Sequence, residues 1–91
     1  MADFVLDIRT PEEVAEGHLD GALVVDFMAE DFIEKISQLD KNANYRMHCR
    51  SGGRVGKAIP MMRELGFTGE LTNAGGIDDA AAMTGQPIVR D

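Results

Sequence analysis

The chain has 91 residues, which suits one folded domain and leaves no material for a second independent core. Hydrophobic residues make up 44% and charged residues 27%, a globular composition unlike that of disordered chains. The formal net charge of −7 argues against nucleic acid or an anionic membrane as partner, because both require clustered Lys and Arg. The charge is still compatible with a small anionic ligand bound at one local cluster of basic residues.

No stretch is long and apolar enough to span a bilayer, and residues 1–20 lack the basic-then-apolar pattern of a signal peptide. We therefore expect a soluble cytoplasmic chain, with the periplasm as the alternative if a signal peptide has been removed. The single cysteine excludes an internal disulfide. We expect one domain over residues 1–91 and a monomer, with a dimer as the alternative.

Short apolar runs alternate with amphipathic segments, a pattern typical of α/β folds. Residues 4–8 (FVLDI) are predicted to form a strand. Thr10 then predicts the N-cap of a brief helix that begins at Pro11 and ends at about Glu16. Glu13 stands three residues after the threonine, so it can complete a capping box.

The next segment is predicted to pass from a turn at residues 17–21 into a buried strand at residues 22–25. A helix is expected to begin at about Asp31, because four apolar residues follow at helical spacing. They are predicted to share one face and are Phe32, Ile33, Ile36 and Leu39.

Residues 40–44 (DKNAN) predict a polar turn, after which residues 45–48 form a short strand that leads to Cys49. The glycine-containing, basic segment 49–54 (CRSGGR) then runs into a helix. Four apolar residues are predicted to share one face of that helix: Val55, Ile59, Met62 and Leu65.

Gly66 is predicted to cap this helix, whereas Pro60 within it should remove a hydrogen bond or produce a kink. Residues 70–72 predict a last strand and residues 73–76 (NAGG) a turn. Residues 77–83 are expected to form the terminal helix.

A cysteine at the end of a strand, followed by glycines and a helix, places its sulfur at the helix N-terminus. Unpaired backbone N–H groups there favour negative charge, so the Cys49 thiolate is expected to be stabilised. Residues 48–57 contain no acid, although the whole chain has 16 acids against nine Lys and Arg. The three basic residues of this segment are Arg50, Arg54 and Lys57.

The two glycines of the loop, Gly52 and Gly53, can adopt backbone angles closed to other residues, so successive N–H groups can converge on an anion. Ser51 can add a hydroxyl. The alternative is that Cys49 is a small buried hydrophobe, as most lone cysteines are. Flanking glycines and arginines favour the anion site, because a buried apolar cysteine gains nothing from them.

Five segments in order resemble the rhodanese family, with Glu13 matching its acidic residue after the first motif. The segments are the Asp-x-Arg strand at 5–9, Gly-His-x-x-Gly-Ala at 17–22, the active loop at 49–54, Leu-Gly-Phe at 65–67 and the Gly-Gly segment at 73–77. The short start and the Asn-Ala-Gly-Gly segment at 73–76 resemble the small phage-shock protein E type of thiosulfate sulfurtransferase.

The resemblance implies an α/β fold with a small, mainly parallel twisted sheet and helices on both faces. It implies a sulfurtransferase in which Cys49 takes sulfur from thiosulfate or another anionic donor and passes it, as a persulfide, to a thiophilic acceptor or protein thiol. No metal or organic cofactor is expected. The substrate-binding residues are expected to be Arg50, Ser51, Gly52, Gly53 and Arg54.

Two departures from the family pattern have structural consequences. Members usually begin with a helix and a strand before the Asp-x-Arg strand, so we expect one sheet edge to be bare or covered by a partner. The aromatic residue that usually follows the Gly-Gly segment is missing, and residues 80–82 (AAA) stand nearby. Packing beneath the loop is therefore expected to be weaker.

Two other functions are compatible with this fold. Phosphatases and arsenate reductases use a His-Cys loop with five residues between Cys and Arg, whereas four separate Cys49 from Arg54. A protein-interaction module or sulfur carrier is the other alternative, and the retained cysteine argues against a purely non-catalytic module.

Residues outside the loop receive structural interpretations. Asp7 and Arg9 are expected to form a buried pair that ties the first strand to Glu13. His18 is expected to fix its turn. His48 is not expected to act as a base, because its strand position directs it away from the neighbouring sulfur.

Overall fold

The computed structural model describes residues 3–90, in which short strands alternate with helices. The strands are β1 (Asp3–Asp7), β2 (His18–Leu19), β3 (Leu23–Val24), β4 (Asn44–His48), β5 (Leu71–Asn73) and β6 (Ile88–Val89). The helices are α1 (Pro11–Ala15), α2 (Phe32–Ile36), α3 (Gly53–Glu64) and α4 (Ile77–Thr84). None of the helices in this part of the chain is long and apolar enough to cross a membrane.

Four strands form one parallel sheet in the order β3, β1, β4, β5, while β2 and β6 form a small antiparallel pair. Parallel strands end at the same edge of a sheet, which is where sites form in open α/β folds. The last residues of β1 and β4, Asp7 and His48, are partners in register. Cys49 follows at once, so the sheet delivers it to this edge.

Two apolar clusters lie on opposite faces of the sheet, because successive strand residues point to alternate sides. The larger cluster includes Leu6, Ile8, Tyr45 and Met47 of the sheet region, Phe32 and Ile36 of α2, and Val55, Ala58 and Met62 of α3. The smaller includes Leu19, Ala74 and Ala80, with Val5 packed against them. The predicted α/β fold with helices on both faces is confirmed.

The N-terminus of α1 has the predicted capping box. The Thr10 hydroxyl accepts a hydrogen bond from the Glu13 N–H, and the Glu13 carboxylate accepts one from the Thr10 N–H at 3.1 Å. Pro11 occupies the first helical position, where a missing N–H carries no cost. Local sequence therefore determines where this five-residue helix begins.

Two predictions on the β3 side of the sheet are wrong in detail. The strand predicted to be buried is the two-residue edge strand β3, and Val24 is 46% exposed, because β3 pairs with β1 only. In α2, Phe32 and Ile36 are buried as predicted, but Ile33 is 41% exposed. One residue corresponds to 100° around a helix, which turns Ile33 away from the face that contains Phe32.

Helix α3 continues through Pro60 to Glu64, so the proline does not break it. Pro60 has no N–H to donate to the carbonyl of Gly56 one turn earlier, and both residues are exposed, so this carbonyl lies on the solvent side of the helix. Gly66 has a φ of +96°, as expected for a glycine that ends a helix in the left-handed region.

The antiparallel pair β2–β6 was not predicted. Residues 17–21 were predicted as a turn, yet His18 pairs with Val89 there. The N–H of Asp20 extends the pairing by donating to the carbonyl of Pro87 at 2.9 Å. This pairing returns the end of the described chain to the edge of the sheet that carries Cys49.

Candidate active site

The loop after β4 turns tightly around the sulfur of Cys49. The Cys49 N–H donates to the carbonyl of Gly75 at 3.0 Å, and the Gly52 N–H donates to Cys49 Sγ at 3.0 Å. Gly52 has a φ of +97°, a backbone conformation that residues other than glycine rarely adopt. Helix α3 begins at the next residue, so its N-terminus faces the sulfur.

Several backbone groups act on this one sulfur. Burial by itself raises the pKa of the Cys49 thiol, but the backbone N–H groups of Val55, Ser51, Gly52 and Arg54 together outweigh it. Among the N–H groups, that of Val55 lowers this pKa most. The pKa of Cys49 is therefore held below its ordinary value, which favours the thiolate.

A second loop, residues 73–76, supports the first. Asn73 Nδ2 donates to the Gly52 carbonyl at 3.0 Å, and its Oδ1 accepts from the Gly75 N–H at 3.0 Å. A Cβ atom at Gly76 would lie 2.6 Å from the Arg50 carbonyl oxygen, so only glycine permits this approach. The sequence identified this segment as a turn but not as the support of the cysteine loop.

Arg54 makes a bidentate ion pair with Glu13 of α1. Its Nη1 and Nη2 lie 2.7 and 3.2 Å from the two carboxylate oxygens of Glu13. The guanidinium lowers the pKa of Glu13 to about 2, so this carboxyl is ionised at neutral pH. Substrate binding by Arg54 stays a prediction, and its guanidinium already has this partner.

The predicted pair between Asp7 and Arg9 is confirmed. Arg9 Nε and Nη2 donate to the two Asp7 oxygens at 3.0 and 2.8 Å, and both side chains are almost fully buried. The same guanidinium donates to the carbonyls of Glu13 and Gly17. These bonds tie β1 to α1 and to the turn at Gly17 that follows it.

His48 is fully buried on the face of the sheet opposite the Cys49 side chain. Its Nε2 lies 3.8 Å from Asp7 Oδ2, and neither ring nitrogen has a well-formed hydrogen bond within residues 3–90. Burial lowers the pKa of His48, and the nearby Asp7 only partly opposes this. A neutral imidazole on the far face agrees with the prediction that His48 is not the base for the thiol.

A pocket of about 370 Å³ opens above Cys49 at the carboxyl edge of the sheet. The cysteine is only 1% exposed, so the pocket is its route to solvent. The cysteine loop, the start of α4 and the β6 region supply its other walls. The lining residues include Arg50, Ile77, Asp78, Ile88 and Arg90. Within the described chain, no group of three or more His, Cys, Asp or Glu residues is arranged to hold a metal ion.

The sequence of the chain matches a known protein family. Residues 1–82 match the family model described as the rhodanese-like domain. The chain belongs to the rhodanese-like family. The resemblance that the five sequence segments indicated is thereby confirmed.

Two curated rhodanese relatives are named for the same activity. Thiosulfate sulfurtransferase 16, chloroplastic, of Arabidopsis thaliana is 38% identical over 90% of this chain and 76% of its own length. Thiosulfate sulfurtransferase PspE of Escherichia coli is 32% identical over 88% of this chain and 76% of its own. A solved structure described as rhodanese with anions from E. coli covers 99% of this chain and 100% of its own, with 28% identity and a TM-score of 0.76.

The predicted rhodanese site residues lie in different environments. Arg50 lines the pocket with Cys49, and Ser51 and Gly53 are exposed on the loop. Gly52 is buried against the second loop, and the Arg54 side chain lies against α1. The structure therefore brings together the backbone of the whole loop, but only one of its arginine side chains lines the pocket.

Proposed function

We propose that this protein is a thiosulfate sulfurtransferase that carries sulfane sulfur as a persulfide on Cys49. The observation that carries the proposal is a pocket-lining thiol whose pKa is lowered by the N–H groups of its own loop. The names of the two curated relatives support thiosulfate as the donor, with other anionic sulfur donors as alternatives.

In the first step the Cys49 thiolate attacks the outer sulfur of thiosulfate. A sulfur–sulfur bond forms to the enzyme while the sulfur–sulfur bond of thiosulfate breaks, and its electron pair leaves with sulfite. The terminal sulfur of the new persulfide carries the negative charge. No proton or external oxidant is needed, because thiolate and thiosulfate give persulfide and sulfite.

In the second step a thiophilic acceptor removes the terminal sulfur. Cyanide attacks that sulfur, the bond to Cys49 breaks, and its electron pair restores the thiolate as thiocyanate leaves. A thiol acceptor in its thiolate form reacts in the same way and becomes a persulfide. Sulfite leaves the persulfide enzyme before the acceptor binds, so the expected kinetics are double displacement.

The loop geometry suits both steps because the negative charge stays at one place. It lies on the thiolate first, where the backbone N–H groups are already oriented towards Cys49 Sγ, and we expect the adjacent persulfide sulfur to meet the same loop next. Preorganised donors stabilise such charge without reorganisation during the reaction. Arg50 lines the same pocket and adds a positive charge for the incoming anion.

The proposal predicts a defined change in mass. After incubation with thiosulfate, the intact protein is expected to gain the mass of one sulfur atom, and cyanide should reverse the gain with release of thiocyanate. Cys49→Ser, the matched control, should gain nothing. Mass spectrometry of both proteins under denaturing, non-reducing conditions measures this directly.

The same samples test the phosphatase alternative. Four residues separate Cys49 from Arg54, a tighter loop than the five-residue spacing of the related phosphatases. We expect no hydrolysis of an aryl phosphate beyond that of the Cys49→Ser protein. An unmodified wild-type mass together with steady hydrolysis of the phosphate would overturn the sulfurtransferase assignment.

A further inference from the structure

Arg90, the residue that follows β6, lines the pocket above Cys49. We propose that Arg90 is a specificity-determining residue that, with Arg50, holds the charged oxygens of the sulfur donor. This inference rests on the proposed function, because it concerns the donor of that same reaction. It goes beyond it by assigning donor recognition to the β2–β6 pair, outside the cysteine loop.

Two arginines near Cys49, Arg9 and Arg54, already make hydrogen bonds within the protein. Arg9 donates to Asp7 Oδ2 at 2.8 Å and to the Gly17 carbonyl at 2.6 Å. Arg54 donates to both oxygens of Glu13. Turning either guanidinium towards a ligand would break charge-assisted hydrogen bonds, which are among the strongest in proteins. Recognition of a donor anion therefore falls to other cations.

Arg50 and Arg90 are the cations of the pocket wall that remain available. Both are exposed, and neither makes a hydrogen bond or ion pair with another residue in the 3–90 range. A guanidinium presents five N–H donors in a planar fork that matches two oxygens of an anion at once. Two such groups beside one thiol suit a donor that carries two negative charges.

The fold holds Arg90 at this wall. His18 pairs with Val89 in the antiparallel β2–β6 register, which places Arg90 across from Gly17. A Cβ atom at Gly17 would lie 3.8 Å from both Cγ and Nε of Arg90, so the arginine stem passes close over the glycine backbone. This contact with Gly17 and the β2–β6 pairing place the Arg90 side chain beside the pocket.

The charges that line the pocket make Arg90 important for the binding of an anion. Glu16 and Asp78 also line the pocket, and neither carboxylate has an ion-pair partner in the part of the chain that the structure describes. With Arg90, two available cations face these two carboxylates. Without it, Arg50 alone would face both carboxylates, and the pocket would attract a dianion less strongly.

Arg90→Gln is expected to raise the KM for thiosulfate about five- to tenfold, because one exposed charge-assisted contact is lost. The kcat should stay within about twofold of the wild-type value. Arg90→Lys should recover part of the affinity, because it restores charge without the fork. Arg46→Gln is the matched control, since Arg46 is exposed on β4 and does not line the pocket. Its KM should stay within about twofold of wild type.

A donor with one charge provides the specificity readout. Methanethiosulfonate carries the same sulfane sulfur on a monoanion, so Arg90→Gln should narrow the preference for thiosulfate over it. If Arg90→Gln and Arg46→Gln give the same KM and the same preference, the role of Arg90 is refuted. The wild type would still form the persulfide in that case, so a wrong role for Arg90 can be told apart from a wrong assignment of the sulfurtransferase activity.

Binding of sulfate supplies a readout that does not depend on sulfur transfer. Sulfate is titrated into wild type, Arg90→Gln and Arg46→Gln and followed by NMR chemical shifts of the loop amides. Arg90→Gln should weaken sulfate binding by a factor similar to the change in KM. Equal affinity in the three proteins would overturn the proposal, even if thiosulfate proved not to be the donor.

Discussion

Cys49→Ser is expected to lower the rate of thiocyanate formation from thiosulfate and cyanide by at least about 10³-fold, since removing the nucleophile of a covalent mechanism costs on this scale or more. A serine hydroxyl is not ionised at neutral pH and its oxygen cannot form the persulfide. No other cysteine in the chain can substitute. The measurement is steady-state thiocyanate release at saturating donor.

The fold should survive this change, which separates chemistry from stability. The serine oxygen occupies nearly the same position and can accept the Gly52 N–H that bonds Cys49 Sγ at 3.0 Å. We expect the free energy of unfolding to fall by no more than about 2 kcal/mol, as for a modest change at a buried site. A folded serine variant that kept a tenth of the wild-type rate would contradict a covalent role for Cys49.

Asp7→Ala is expected to lower the free energy of unfolding by about 3–5 kcal/mol, the largest stability effect that we predict. The Asp7 carboxylate is fully buried and accepts hydrogen bonds from Arg9 Nε, Nη2 and the backbone N–H. Its removal leaves a buried guanidinium without its counter-charge. The measurement is equilibrium unfolding in urea, and a corresponding fall in Tm should accompany it.

An exposed ion pair gives the matched control. Lys35 and Asp31 lie 3.6 Å apart with both side chains largely in solvent, so Asp31→Ala should change the free energy of unfolding by less than about 1 kcal/mol. Replacing both buried partners, as Asp7→Leu with Arg9→Met, should recover much of the loss, because no uncompensated charge remains. A loss below about 1 kcal/mol in Asp7→Ala would contradict the assigned role of the pair.

Features that depend on nearby residues were predictable from the sequence. The capping box of α1 is an example, because Thr10 and Glu13 stand three positions apart and need only each other. The loop that begins at Cys49 is another. A strand, two glycines and a helix in succession are enough to turn the local N–H groups towards the sulfur, which Gly52 at a φ of +97° illustrates.

Features that depend on distant pairing were not predictable in this way. Glu13 and Arg54 are 41 positions apart, and nothing in either local pattern indicates that the arginine turns to the carboxylate. Strand β6 has two residues, too few for any periodicity, and forms only because β2 accepts it. The place of Arg90 in the pocket follows from that pairing and from no local signal.

The loop is expected to hold the Cys49 thiol ionised, and the pKa of this thiol is the quantity to measure. Titration of the thiolate ultraviolet absorbance against pH, with Cys49→Ser subtracted as the blank, reports this one group because the chain has one cysteine. We expect a midpoint below that of an ordinary solvent-exposed thiol, so the reactive thiolate persists to lower pH. A midpoint at or above that of an ordinary thiol would mean that burial outweighs the N–H groups, and would contradict stabilisation of the thiolate by the loop.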